Sequence, residues 1–395
     1  MNRLLRIRGA WLVPVVFALL ALGAAGAYAE GDPDVDPALA PLPPHPPIPA
    51  DNKSAPTVYP AKMDAKQELG YLLFFDTKLS GDASLGCVTC HHPDQGWGFG
   101  DPISRGYPGT VHWRNSHTAV NSGYVNKLFW TGNSPSLEAQ APAAAGGGVA
   151  GNGSNDMMES RLAMTPEYKK RWKQVFGHEW PTISEAWDAI AAYERYLSQP
   201  NTPFDRFLKG DKKAISEAAQ RGKKLFEGKA NCIECHNGPM LTDEKMYNVG
   251  LPNPQEWSEA GLHQITVRWQ NYQRGVAEKL YREGKHDLGL YYESKDEQDK
   301  MKFRTAPLRY LKYTAPYMHT GALFTLEEVV DFYNEGGGKN DPYGTKTKIL
   351  KPLNLTDQEK KDLVAFLDTL SGEEIKMPAP KIPPIEAVAD WQPRK

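Results

Sequence analysis

A pentapeptide that occurs twice constrains this chain more than any other feature. Cys87-Val88-Thr89-Cys90-His91 lies early and Cys232-Ile233-Glu234-Cys235-His236 lies late. Together they hold all 4 cysteines of the 395 residues. A CxxC pair followed at once by histidine is the spacing of c-type haem attachment. Two thiols reach the two vinyl groups, and the adjacent imidazole reaches the iron. Zinc held by both CxxC pairs is one rival, but it has no need of a histidine straight after each pair. Paired disulfides are a second rival, because the chain reads as exported. The haem reading predicts two covalent haems c, attached at Cys87 and Cys90 and at Cys232 and Cys235.

The export signal comes from the first residues. Arg3, Arg6 and Arg8 form a basic region, an apolar run follows from Trp11 to Ala25, and Ala27-Tyr28-Ala29 is a small-x-small cleavage site. An uncleaved membrane anchor is the alternative. The apolar run is short for a span, and no later segment is apolar and long enough to cross a bilayer. Haem c is attached outside the cytoplasm, so signal and CxxCH motifs support each other, and the expected location is periplasmic. Losing the three leader arginines leaves 43 basic against 48 acidic residues and takes the formal net charge from -2 to -5. That balance argues against a nucleic-acid partner.

Read in order, the chain divides into a signal peptide (1–29), a proline-rich arm (30–60), two haem modules (61–200 and 201–372) and a tail (373–395). The arm centres on Pro41-Leu42-Pro43-Pro44-His45-Pro46-Pro47-Ile48-Pro49 and reads as an extended tether. A helix is expected from Ala61, with Leu69, Leu72 and Leu73 on one face. Glycines after the first CxxCH (Gly96, Gly98, Gly100) suit backbone passing close to a flat ring. Ala143–Gly153 reads as small and flexible, and Met157–Phe176 as helical. Ile183–Leu197 is an amphipathic helix with Ala186, Ile190, Tyr193 and Leu197 on one stripe. Pro200 and Pro203 mark the module boundary. A helix over Ala214–Phe226 delivers the second CxxCH as the first helix delivers the first. Residues 257–282 read as a charged, mostly helical segment, and Gly289–Thr305 as turns. Thr325-Leu326-Glu327-Glu328 is a capping box that opens a short helix through Tyr333, stopped by Gly336-Gly337-Gly338. Thr356 caps a last helix through Leu363, Phe366 and Leu370. The tail is expected to be draped or loose. Strand signals are scarce, so the predicted fold is mainly α: two cytochrome c-like haem modules with long loops.

Two stretches carry a resemblance. Glu68-Leu69-Gly70-Tyr71-Leu72-Leu73-Phe74-Phe75-Asp76 leads to the first CxxCH. Phe303-Arg304-Thr305-Ala306-Pro307-Leu308-Arg309 and Thr314-Ala315-Pro316-Tyr317-Met318-His319-Thr320-Gly321 come late. The chain resembles the bacterial di-haem cytochrome c peroxidases, a family that includes MauG, over roughly Ala61 to Gly372. The resemblance implies that His91 and His236 are the proximal iron ligands. It implies a calcium ion between the modules on Asn115, Thr314 and Pro316, an oxygen-only set that suits a hard cation. It implies that Trp130 relays electrons between the haems. Gln140 matches a glutamine near the first haem, but Ala144 stands where a proline usually follows. The family's distal glutamate would fall in Ala143–Gly153, which has no acid. His112 and His117 lie near the place of a labile distal histidine, and either could ligate the first iron or act as its acid–base group. In the peroxidases proper a methionine ligates the second haem where this chain has Tyr333, as MauG has tyrosine. Phenolate is hard and anionic and stabilises ferric iron; thioether favours ferrous iron. Met318 and Met240 lie in other motifs.

The expected function is therefore a periplasmic di-haem oxidoreductase. It would reduce hydrogen peroxide at the first haem with electrons passed through the second. The electron source is a small cytochrome c or cupredoxin, or the side chains of a protein substrate as in MauG. A non-catalytic di-haem electron carrier, or a subunit of a larger redox complex, is the competing class.

Overall fold

Asp64 decides where the first helix begins. Its carboxylate accepts from the Gln67 backbone N–H, and the Gln67 side chain accepts in turn from the Asp64 N–H. That capping box starts α1 (Ala65–Phe75) four residues after the expected Ala61, because residues 61–63 have no side chain that could satisfy the helix's free N–H groups. The computed structural model describes residues 38–49, 57–107, 109–253, 259–283, 286–339 and 343–386. The expected signal peptide and residues 30–37 and 50–56 of the arm lie outside the described residues.

The remaining helices of the first half are α2 (Leu137–Gly146), α3 (Asn155–Ala163), α4 (Pro166–Phe176) and α5 (Ile183–Tyr196). The expected single helix over 157–176 is two. Thr165 precedes Pro166 and is forced out of the helical region, at φ -108° and ψ 103°. The stretch expected to be flexible, 143–153, begins as the end of α2, which Ser136 caps by accepting from the Ala139 N–H. The second half contributes α6 (Pro203–Leu208), α7 (Glu217–Glu227), α8 (Gly261–Gln273), α9 (Glu278–Glu283), α10 (Tyr291–Ser294), α11 (Leu326–Asn334) and α12 (Asp357–Asp368). A two-residue ladder, β1 (Met246–Tyr247) on β2 (Phe303–Arg304), sets Met246 opposite Arg304 in antiparallel register. The fold is mainly α, and no helix of the described residues is long and apolar enough to cross a membrane.

Two helix pairs organise two cores in the same way. In the first, α1 crosses α5 at Gly70, where an added Cβ would lie 1.9 Å from the Ala189 carbonyl oxygen. In the second, α7 crosses α12 at Gly222, where it would lie 1.9 Å from the Asp362 carbonyl oxygen. Leu69, Leu73, Phe74, Trp97 and Tyr193 fill the first core; Phe204, Phe226, Leu363 and Phe366 fill the second. Each core holds its own cysteine pair at the rim, with Cys87 against the first and Cys232 against the second.

The described parts of the arm and the tail are fastened rather than loose. The Trp97 indole N–H donates to the Ile375 carbonyl at 2.8 Å, the Ile375 N–H donates to the Tyr310 hydroxyl at 2.7 Å, and Lys78 donates to the Pro383 carbonyl at 2.8 Å. Ile375 is fully buried in the first core. The tail is thus a strap, described as far as Glu386. The arm is fastened too: Leu42 is buried and its N–H donates to Asp205 at 2.9 Å, while Arg195 donates to the Pro47 carbonyl at 3.1 Å. It touches both halves, although proline keeps it free of regular structure.

Candidate functional site

Each CxxCH opens with the same tight turn. Short 3-10 turns cover Cys87–Thr89 and Cys232–Glu234. The His91 N–H donates to the Cys87 carbonyl at 3.0 Å, and the His236 N–H to the Cys232 carbonyl at 2.9 Å. The turn gathers two thiols and an imidazole within one span of backbone. Each imidazole is then oriented from behind. Nδ1 of His91 lies 3.3 Å from the Trp97 carbonyl, and Nδ1 of His236 lies 3.0 Å from the Leu241 carbonyl. A carbonyl only accepts, so Nδ1 carries the proton and Nε2 is left with its lone pair, the form a metal takes. Burial also lowers both histidines' pKa, which keeps them neutral.

The thiols fit thioether attachment better than the rival sites. Burial pushes Cys90 up to about 11 and Cys232 up to about 12, and raises Cys87 and Cys235 as well. The two pairs sit on different cores, so they do not form one four-sulfur zinc centre. Among the described residues no three His, Cys, Asp or Glu side chains converge as a protein-only metal centre needs. None of the four cysteines pairs in a disulfide.

Beside the second pair lies a cavity of about 580 Å³, within the size range of cofactor sites. Cys232, Cys235, His236, Tyr333, Trp130 and Arg304 all line it, with apolar walls from α11 and α12. Tyr333 arrives there because Thr325 starts α11 by accepting from the Glu328 N–H at 3.1 Å. Gly336 at φ 85° and Gly337 at φ 78° then turn the chain away. Burial raises the Tyr333 phenol, and the nearby Cys232 and Cys235 add to the effect, so its proton leaves only if a cation takes its place. His236, two thiols and a phenol around one mostly apolar cavity fit a covalent haem with a histidine and a tyrosine available to the iron. Met318 is in the same wall, which the motif spacing did not reveal: its backbone sits at φ 74°, where the chain bends back.

Trp130 joins this cavity to the first half. Its indole N–H donates to the Asn115 carbonyl at 2.8 Å. His117 stacks on it at 4.0 Å between ring centroids, and His319 meets it edge-on at 6.1 Å. His117 also bears on His91, whose ring its backbone approaches. His112 is placed elsewhere. Its N–H donates to the Ser104 carbonyl at 2.7 Å, its Nδ1 accepts from the Arg114 N–H at 3.3 Å, and burial pulls its pKa down to about 4. Of the two candidate histidines, His117 is therefore the one beside His91 and Trp130. Gln140 lies half-buried on α2, one residue before the buried Ala141 that joins the first core.

Asn115 sits where the halves meet. Its N–H donates to the His319 carbonyl at 2.8 Å, and its side-chain amide lies 3.3 Å and 3.2 Å from the carbonyls of Asp101 and Pro102. Thr314 and Pro316 flank a cis Ala315-Pro316 bond a few residues before His319. Next to Asn115, Arg114 grips Asp287 through two hydrogen bonds of 2.6 and 2.9 Å, both side chains buried. Sequence reasoning missed Asp287, whose partner is 173 residues away. It also missed Glu194 on α5, a buried carboxyl that bears on Cys87 and that burial pushes up to about 8. Its helical spacing marks only a position beside the apolar stripe.

Comparison with known proteins places these features in a family. The family model for di-haem cytochrome c peroxidase matches residues 64–213. The chain is 52% identical to cytochrome-c peroxidase IdrP1 of Denitromonas iodatirespirans, over 96% of this chain and 97% of that one. It is 32% identical to the methylamine utilization protein MauG of Methylorubrum extorquens, over 80% of this chain and 81% of that one. A crystal structure of a MauG-like protein associated with microbial copper homeostasis superposes with a TM-score of 0.67 at 28% identity, covering 87% of this chain and 96% of the other.

Proposed function

Since the chain belongs to the di-haem cytochrome c peroxidase family, and is thus a peroxidase-like oxidoreductase of two haems c, we propose that it reduces hydrogen peroxide in the periplasm at a haem on Cys87 and Cys90. Electrons would enter through a second haem on Cys232 and Cys235. His91 and His236 would hold the irons, each imidazole aimed by a backbone carbonyl behind Nδ1. Haem iron supplies the redox chemistry; the chain supplies position, proton placement and exclusion of water. Tyr333 would complete the second site as an anionic oxygen ligand, which would lower its potential. Of the two candidate histidines, His117 and not His112 carries the contact from His91 to Trp130.

The observation that carries this reading is the position of Trp130. It lines the second cavity, yet its indole is tied to Asn115 in the first half and stacked on His117 beside His91. A group that shares both sites is what electron exchange between them needs. A calcium ion on Asn115, Thr314 and Pro316 would fix that junction with oxygen donors alone. The electron source is a small cytochrome c or cupredoxin. Oxidation of a protein substrate is the second reading, and it rests on Tyr333, which stands where the electron-accepting peroxidases have methionine.

The test is peroxide-dependent oxidation of a reduced small cytochrome or cupredoxin by the purified protein. Steady turnover supports the peroxidase reading. A protein with both haems that leaves peroxide intact is an electron carrier instead.

A further inference from the structure

Four arginines are buried among the described residues: Arg114, Arg195, Arg304 and Arg309. Three have a carboxylate. Arg114 pairs with Asp287 at 2.6 Å, Arg195 with Glu138 at 2.6 Å and Arg309 with Asp205 at 2.9 Å. Arg304 is 4% exposed and makes no ion pair among the described residues. Of a guanidinium's N–H donors, Nε meets the Phe129 carbonyl at 3.2 Å and Nη1 the Thr305 carbonyl at 3.2 Å. Among the described residues the other donors have no acceptor and the charge no paired carboxylate. The acid that bears on it is Glu244, already taken up by the N–H groups of Asn126 at 2.8 Å and Lys127 at 3.1 Å. Burial accordingly pulls Arg304 down to about 10, far lower than a guanidinium tolerates in water. A buried cation without a counter-ion is costly to the fold, as a buried pair is when one partner is removed. The side chain faces the cavity that His236, the second cysteine pair and Tyr333 line. Lys348 and Lys351 also reach that cavity, but both are exposed and hydrated.

We propose that Arg304 is the internal anchor for a carboxylate of the second haem, a charge-assisted pair that forms only when the haem is seated. The pair lies against the relay: the Arg304 backbone N–H donates to the Trp130 carbonyl at 2.8 Å. Haem attachment would therefore neutralise this charge beside Trp130. The other titratable groups facing this point are His117, His319, Arg114 and Glu244. Burial holds His117 well below its usual range and His319 down to about 3, so neither adds charge there.

This inference rests on the haem assignment for Cys232, Cys235 and His236. Potentiometry of the second haem in the full holoprotein, across pH, tests it. Arg304→Met should retain both haems by intact mass. Its second-haem potential should fall below wild type at alkaline pH, where the carboxylate is charged and unpaired, and converge on wild type at acid pH, where it is protonated. Arg304→Lys should stay near wild type. Arg304→Gln, neutral but hydrogen-bonding, carries the same expectation as Met where Met does not mature. An unchanged potential and pH profile in the neutral variants, or a rise, overturns the anchor. Absence of a second haem from the wild-type mass overturns instead the assignment beneath it.

Discussion

Tyr333 is the residue on which the character of the second site turns. Replacing it by Phe removes the phenol oxygen while keeping the ring that fills the cavity wall, so on the proposed reading the ferric spectrum of the second haem should change and the first stay as it is. Tyr333→Met should raise the second potential, since thioether favours ferrous iron. Identical spectra and potentials in Tyr333→Phe would leave the residue a packing group. Glu194 gives a second residue-scale expectation. Burial is the main cause of its rise, with Arg195 pulling it back and Glu138 pushing it up, to about 8 from 4.5. An acid whose folded pKa is raised costs stability once the unfolded chain ionises, so stability should be complete below pH 4.5 and fall as pH rises towards 8. Denaturant titrations of Glu194→Gln should lack that fall. At this scale the gathering of Cys232, Cys235, His236 and Tyr333 around one cavity is legible in sequence because they sit in fixed local patterns. Arg304 is not: its significance is that three other buried arginines have partners, which only packing reveals.

Among the elements, the two close helix crossings make the clearest demand. Alanine at Gly70 or Gly222 would drive a methyl into a backbone carbonyl that cannot move aside. Each substitution should cost at least about 1–3 kcal/mol. Urea titrations followed at the absorption of each haem should show the Gly70→Ala effect first at the first haem and the Gly222→Ala effect first at the second. Equal stability of both variants and wild type would contradict the crossings. The helices themselves are legible from periodicity and caps: Ile183–Tyr196, Leu326–Asn334 and Asp357–Asp368 fall where stripe and capping box put them. The break at Thr165-Pro166 follows from local sterics that periodicity averages away. The tail's burial was not legible, because a proline-rich strap has no period, and its hold comes from Trp97, Tyr310 and Lys78 far away in sequence.

Across the whole molecule, the junction of the halves is held by charge as well as by packing. Burial pushes the Asp287 carboxyl up, but the Arg114 charge and its hydrogen bonds outweigh this and leave it below the usual carboxylate range. A carboxylate with a depressed folded pKa lends stability above its unfolded pKa, and loses it as pH falls through the folded one. The junction should thus hold at neutral pH and fail only in strong acid. Asp287→Ala leaves Arg114 buried and unpaired and should cost about 3–5 kcal/mol in denaturant titrations at neutral pH; a cost near zero would mean that the pair is idle. The calcium ion proposed on Asn115, Thr314 and Pro316 would belong to the same junction. Exhaustive chelation should slow peroxide turnover and perturb the haem spectra, with recovery on adding calcium, and no change in either would remove the ion from Asn115, Thr314 and Pro316. The most direct measurement of the account as a whole is single-turnover oxidation of the fully reduced protein by one equivalent of hydrogen peroxide, followed separately at the two haems in wild type and Trp130→Phe. Both haems should be oxidised together in wild type, while in Trp130→Phe the first should be oxidised promptly and the second should lag. Peroxide that leaves the wild-type haems reduced, or a Trp130→Phe protein whose haems still oxidise in step, would contradict it.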